Sequence, residues 1–186
     1  NIKVSQQLKA SGVDLIFGVK GLKVHSKICL IERFKGNKKR YYGFISTGNF
    51  NESTAKIYSD FTLFTSNQKI LKEVHKVFSF LKANYKIYDY KHLIVSPHQT
   101  SKKLFKLIDN EISNVKNGLK GNIILKLNSF TSYKFVDKLY EASRSGVKIT
   151  LLVRGICCLV PNKIGFSDNI VVKSVVDKYL EHSRVY

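Results

Sequence analysis

Methionine is absent from all 186 residues, the chain opens on Asn1, and it stops at Val185-Tyr186 directly after a basic motif, so both ends are expected to lie inside a longer protein. Cysteine is scarce. Cys29, Cys157 and Cys158 make neither an even disulfide framework nor a C-x-x-C metal pair, which favours a reducing compartment and argues against zinc. No apolar run approaches the roughly 20 residues that span a bilayer, and Asn1-Ile2-Lys3-Val4-Ser5 lacks the apolar stretch of a signal peptide. A cytoplasmic location is the expectation. Acidic residues are also few: 13 Asp and Glu against 32 Lys and Arg leave a formal charge of +19. Such a surplus demands an anionic partner or a very uneven surface, and nucleic acid, an acidic membrane or polyanionic phosphate would each satisfy it. The 44% hydrophobic content suffices for a buried core, in one domain or two small ones.

Strand and helix patterns alternate along the chain, which predicts an α/β fold. Residues 2–11 read as a helix, ended by Gly12 and followed by a buried strand, Val13-Asp14-Leu15-Ile16-Phe17. Residues 24–34 and 40–45 read as a hairpin about Gly36-Asn37-Lys38-Lys39, and Phe61-Thr62-Leu63-Phe64 as a further strand. Ser66 is placed to cap a helix whose apolar residues Ile70, Leu71, Val74, Val77, Phe78 and Leu81 keep helical spacing. A Tyr-rich polar stretch, residues 84–91, then separates two domains, expected as 1–88 and 89–186. In the second, His92-Leu93-Ile94-Val95 reads as a short strand and Ser96-Pro97 as a helix start. Gly118 ends that helix. Strand 123–127, helix 131–144 and strand 147–153 follow. The junction Ala10-Ser11-Gly12-Val13 is echoed by Arg144-Ser145-Gly146-Val147, and each copy lies upstream of an H-x-(K/R) pair, which suggests two related halves.

Those pairs, His25-x-Lys27 and His182-x-Arg184, carry the chemistry. On a strand the side chains of His25 and Lys27 share one face. An imidazole attacking phosphorus builds negative charge on the phosphoryl oxygens, which a neighbouring ammonium stabilises. Only a neutral ring nitrogen can attack, and histidine is mostly neutral at cytoplasmic pH. Ser46-Thr47-Gly48-Asn49 offers close backbone approach at Gly48 and an amide donor at Asn49 for phosphate oxygens. Arg154 falls at the end of a predicted strand, where α/β sheets place ligand groups, and its guanidinium fork suits phosphate. His182 is able to donate a proton to a leaving group or hold a phosphate as a cation. Lys102, Lys103 and Lys106 open a basic helix that either faces polyanion or is only a wet face. His75, His92 and His98 read as solvated or structural.

The duplicated H-x-(K/R) pair, followed by Gly48-Asn49, resembles the pattern of the phospholipase D superfamily. Glu32 stands where that pattern carries an Asp, on the strand face opposite His25, and so does not suit orienting that imidazole. The likeness is closer to one group within it. Gly21-Leu22-Lys23-Val24-His25-Ser26-Lys27, Ser46-Thr47-Gly48-Asn49-Phe50-Asn51, Thr54-Ala55-Lys56-Ile57-Tyr58-Ser59-Asp60-Phe61, Leu151-Leu152-Val153-Arg154-Gly155-Ile156-Cys157 and Tyr179-Leu180-Glu181-His182-Ser183-Arg184 resemble the long, two-histidine family of bacterial polyphosphate kinases. That resemblance implies two phospholipase D-like α/β domains, both incomplete here. It implies reversible transfer of the ATP γ-phosphoryl group to polyphosphate through a phosphohistidine at His25, with Tyr58, Arg154 and His182 contacting ATP. It places the Mg²⁺ ligands upstream of residue 1 and expects no metal site in this segment. The partners it implies are ATP, ADP and polyphosphate, with no specific nucleic acid; a homo-oligomeric full-length enzyme is expected, and peripheral attachment to a membrane is left open. The segment alone is expected to be inactive. A phosphodiesterase or nuclease of the same superfamily and a basic nucleic-acid-binding module are the competing classes. The segments around Tyr58 and Arg154 favour the kinase, and the aromatic-stacking motif of a binding module is not found.

Overall fold

The computed structural model describes residues 2–186 and shows the expected α/β alternation. In chain order the elements are α1 (Ile2–Ala10), β1 (Lys27–Lys35), β2 (Lys38–Ser46), α2 (Glu52–Ala55), β3 (Tyr58–Ser59), β4 (Thr62–Thr65), α3 (Gln68–Lys82), α4 (Thr100–Lys116), β5 (Asn122–Leu127), α5 (Tyr133–Arg144), β6 (Lys148–Val153), β7 (Ile170–Lys173) and β8 (Leu180–Glu181). They fall into two compact units, one of residues 1–45 and 64–93, the other of residues 46–63 and 94–186.

In the first unit β1 and β2 flank a turn at Gly36-Asn37, and the sheet order is β1-β2-β4. Leu71 and Val74 of α3 pack on Tyr41, Ile28, Leu30 and Ile45, because strand alternation puts these side chains on one face. Gln68 fastens the first turn of α3 to β2: its Oε1 accepts from the Tyr41 N–H at 3.0 Å and its Nε2 donates to the Tyr41 carbonyl at 2.9 Å. Asn67, rather than the expected Ser66, caps α3 by accepting from the Lys69 and Ile70 N–H groups at 2.9 and 3.4 Å. Asn and Ser are near-equal caps, so the one-residue difference lies in chain geometry and not in capping chemistry.

Several predicted elements are corrected. Residues 13–17 are irregular rather than a strand, with Val13, Ile16 and Phe17 exposed; an apolar run becomes a strand only where a ladder is available. Strand β1 begins at Lys27, so His25 lies in the irregular segment before it. Residues 92–95 form no strand either. The N–H groups of Lys91, His92 and Leu93 donate to the buried carboxylate of Glu73 at 2.7, 2.9 and 2.8 Å, which takes donors a ladder would have used. Helix α4 starts at Thr100 with Gln99 at its N-cap, because Ser96 and Pro97 sit in a turn, which suits them equally.

The second unit is built on the parallel sheet β5-β6-β7, with Ile123 opposite Ile149 and Leu151 opposite Val172. Ile149, Leu151 and Val153 alternate inward and pack with Ile108 and Ile112 of α4 and with Val136, Leu139 and Ala142 of α5. The four-residue β7 follows an irregular connection and carries too short a pattern to be read in advance. The echoed junctions share one geometry. After α1, Gly12 (φ +79°) and Val13 donate to Lys9 and Leu8; after α5, Gly146 (φ +91°) and Val147 donate to Ser143 and Ala142. Both are Schellman caps, in which a left-handed glycine lets two amides satisfy terminal carbonyls. Only the second leads into a strand. Among the described residues no helix is long and apolar enough to cross a membrane.

Residues 180–185 are tied on both sides within this unit. Tyr58 and Ser59 of β3 pair in parallel with Leu180 and Glu181, and Val185 bridges antiparallel to Lys126 of β5.

Candidate active site

His25 is exposed and Lys27 is buried, both in the first unit. The Lys27 Nζ lies 3.1 Å from both ring nitrogens of His25 and donates to the His25 carbonyl at 2.8 Å. The lysine therefore meets the ring as expected, but by folding back from the first residue of β1 rather than by sharing a strand face. An ammonium at this distance is placed to face negative charge that builds on a phosphoryl group at the ring. Glu32 is engaged elsewhere: its Oε1 pairs with Lys39 at 2.8 Å across the hairpin. The Lys39 hydrogen bond, the largest influence, holds the Glu32 carboxyl below its usual range.

His182 anchors a second cluster, in the other unit. Its Nδ1 lies 2.8 Å from Oδ1 of Asp60, and its ring sits 4.8 Å, centroid to centroid, from that of Tyr58, tilted by 40°. The His182 and Ser183 N–H groups both donate to the Ser59 carbonyl at 3.1 Å, which fixes the backbone beside β3. The Thr47 hydroxyl donates to the same Asp60 oxygen at 2.7 Å and accepts from the Phe61 N–H at 3.0 Å. Burial pushes the Asp60 carboxyl up, but the hydrogen bonds from Thr47 and His182 and the charges of His182 and Arg184 outweigh it and hold the group below its ordinary value. A carboxylate on Nδ1 fixes the ring's orientation and tautomer, so chemistry with a substrate falls to Nε2. Gly48 lies against Asp60; a Cβ built on it would stand 3.0 Å from Oδ2. Asn49 is half-buried in the same loop, next to this cluster in sequence.

Arg154 follows the last residue of β6, and its N–H donates to the Leu127 carbonyl at the end of β5 at 3.4 Å. Its Nε is buried with no hydrogen-bond partner. An unsatisfied guanidinium donor at the carboxyl ends of parallel strands fits an anionic oxygen of a bound ligand. The adjacent Gly155 allows close approach, since a Cβ there would stand 2.8 Å from the Asn128 carbonyl oxygen. Among the described residues no group of three His, Cys, Asp or Glu side chains is arranged to hold a metal. The Asp60 Oδ1 atom is already engaged by Thr47 and His182, so this cluster does not fit a magnesium site.

A family model described as polyphosphate kinase C-terminal domain 1 matches residues 1–87, and one described as polyphosphate kinase C-terminal domain 2 matches residues 93–186. This chain belongs to the polyphosphate kinase family. It is 46% identical over 186 residues to the polyphosphate kinases of Salmonella typhimurium and Escherichia coli K12, and 47% identical to that of Yersinia pestis. In each case all of this chain is covered but 27% of the relative, so it spans about a quarter of these proteins' length. The crystal structure of the polyphosphate kinase from Porphyromonas gingivalis superposes with a TM-score of 0.87 at 40% identity, covering 98% of this chain and 30% of that one.

Within this polyphosphate kinase segment, Asp60 holds His182 and Thr47 holds Asp60, roles that sequence reasoning did not assign to either. Asp60 and Thr47 both lie inside segments that resemble the family, yet 122 residues separate Asp60 from the imidazole it holds, and no local pattern announces so distant a pair. Tyr58 lies against His182, where its tilted ring packs on the imidazole and restrains it.

Proposed function

We propose that this chain carries catalytic residues of an ATP:polyphosphate phosphotransferase that works reversibly through a phosphohistidine. The observation that carries the reading is the exposed His25 imidazole with the Lys27 ammonium 3.1 Å from its ring nitrogens. A ring nitrogen of His25 attacks the γ-phosphorus of ATP, the bond from phosphorus to the bridging oxygen breaks, and ADP departs with that electron pair. A terminal phosphate oxygen of polyphosphate then attacks the phosphohistidine, a new P–O–P link forms, the P–N bond breaks and His25 returns neutral. Lys27 faces the charge that accumulates on the transferring group, as preorganised cations do in phosphoryl transfer.

His182, Tyr58 and Arg154 are assigned to ATP, and Asn49 to a phosphate oxygen. Support for His182 comes from Asp60, which leaves Nε2 to hold a phosphate oxygen or return a proton to the leaving group; support for Arg154 comes from its unpartnered buried Nε. Magnesium, when bound, neutralises phosphate charge, and the family likeness places its ligands upstream of residue 1. Polyphosphate synthesis by the full-length enzyme, measured for wild type and His25→Ala, tests the reading. Loss of synthesis in the variant is expected, and synthesis at the normal rate overturns it.

A further inference from the structure

We propose that Lys126 is a positioning residue for His182, gripping the segment that carries the imidazole on both sides of it in the chain. The inference rests on the reading of His182 as an ATP-handling group. Lys126 lies on β5, and its side chain is only 15% exposed. Its Nζ pairs with Oε2 of Glu181 at 3.0 Å, donates to the Ser183 hydroxyl at 2.7 Å and donates to the Ser183 carbonyl at 3.1 Å. Its backbone completes the grip, donating to the Val185 carbonyl at 2.7 Å and accepting from the Val185 N–H at 3.1 Å. One residue therefore fastens positions 181, 183 and 185.

These positions lie on either side of 182 in the chain, and the His182 and Ser183 N–H groups both donate to the Ser59 carbonyl at 3.1 Å. Lys126 accordingly holds the chain before and after the imidazole, while Asp60 and Tyr58 hold the ring itself. The ring contacts orient the imidazole, and the Lys126 contacts set the position of the backbone that carries it. Neither set supplies the other's constraint. Lys126 needs no contact with substrate for this, since displacement of a reacting group by about 1 Å costs on the order of 10²-fold in rate.

A double-mutant cycle in the full-length enzyme separates positioning from mere support. Lys126→Met is expected to lower kcat/KM for ATP by on the order of 10²-fold in the wild-type background, and by less than about twofold in a His182→Ala background. Equal losses in the two backgrounds, or no loss in the wild-type one, overturn the proposal. Should Lys126→Met fail to fold by circular dichroism, Glu181→Gln enters the same cycle under the same criteria. Labelling of His25 by γ-labelled ATP is followed in parallel: absence of label from the wild-type enzyme would contradict the phosphohistidine reading, whereas a cycle without coupling contradicts only the role of Lys126.

Discussion

His182 Nδ1 and Asp60 Oδ1 stand 2.8 Å apart, and the Thr47 hydroxyl donates to that same carboxylate oxygen at 2.7 Å. The arrangement fixes the imidazole while spreading the carboxylate's charge over two donors. It also ties the loop after β2 to the far end of the chain, through side chains that sequence distance hides.

Asp60→Asn keeps an oxygen where His182 and Thr47 need one but removes the carboxylate charge beside the imidazole. In the full-length enzyme kcat for ATP-dependent polyphosphate synthesis is expected to fall by about 10² to 10⁴-fold, the range for impaired acid–base catalysis. Steady-state kinetics check this, with the KM for ATP changing far less than kcat.

Gly48→Ala tests how closely the loop must approach Asp60. The new Cβ would stand 3.0 Å from Oδ2 and 3.1 Å from Cγ of Asp60, so the carboxylate must give way by a few tenths of an ångström. An activity loss of roughly tenfold with little change in thermal unfolding is expected, because the side chain displaced is the carboxylate that holds His182.

Glu73 should govern stability rather than turnover. It is 5% exposed and accepts from three successive backbone N–H groups, and those bonds outweigh burial, which pushes its carboxyl up, to hold it below its usual value. Glu73→Ala is expected to cost about 3 kcal/mol in urea unfolding, the scale of a buried charged acceptor lost from its donors. Because the folded carboxyl binds its proton less readily than the unfolded one, this contribution is present above about pH 4 and is lost as pH falls through the folded value. Wild type should therefore lose more stability on acidification than Glu73→Gln.

The twin Schellman caps give an internal comparison. Ala at Gly146 must adopt φ +91° and place its Cβ 3.2 Å from Val115 Cγ1, whereas Ala at Gly12 must adopt φ +79° in open space. Both pay the left-handed penalty of about 1–2 kcal/mol, so Gly146→Ala is expected to lower the unfolding midpoint more than Gly12→Ala in parallel thermal melts.

What could be read from the sequence follows the range of the interactions. Periodicity located α3, α4, α5, β5 and β6 because each buries a continuous face, as Leu71 and Val74 or Ile149, Leu151 and Val153 do. Residues 92–95 have strand composition, yet Glu73, some twenty positions earlier, claims their donors, and composition carries no trace of that. The site divides in the same way. His25 and Lys27 are two residues apart and could be paired on sight. Asp60 and Lys126 meet the His182 segment only after folding, as Thr47 meets Asp60, so the motif showed the imidazole and not what holds it.

The central claim is that His25 carries the phosphoryl group, and mapping the label from γ-labelled ATP in the full-length enzyme tests it most directly. The account predicts acid-labile, alkali-stable label on the peptide containing His25, and none in His25→Ala. Label on another residue, with His25→Ala still synthesising polyphosphate at the wild-type rate, would contradict it.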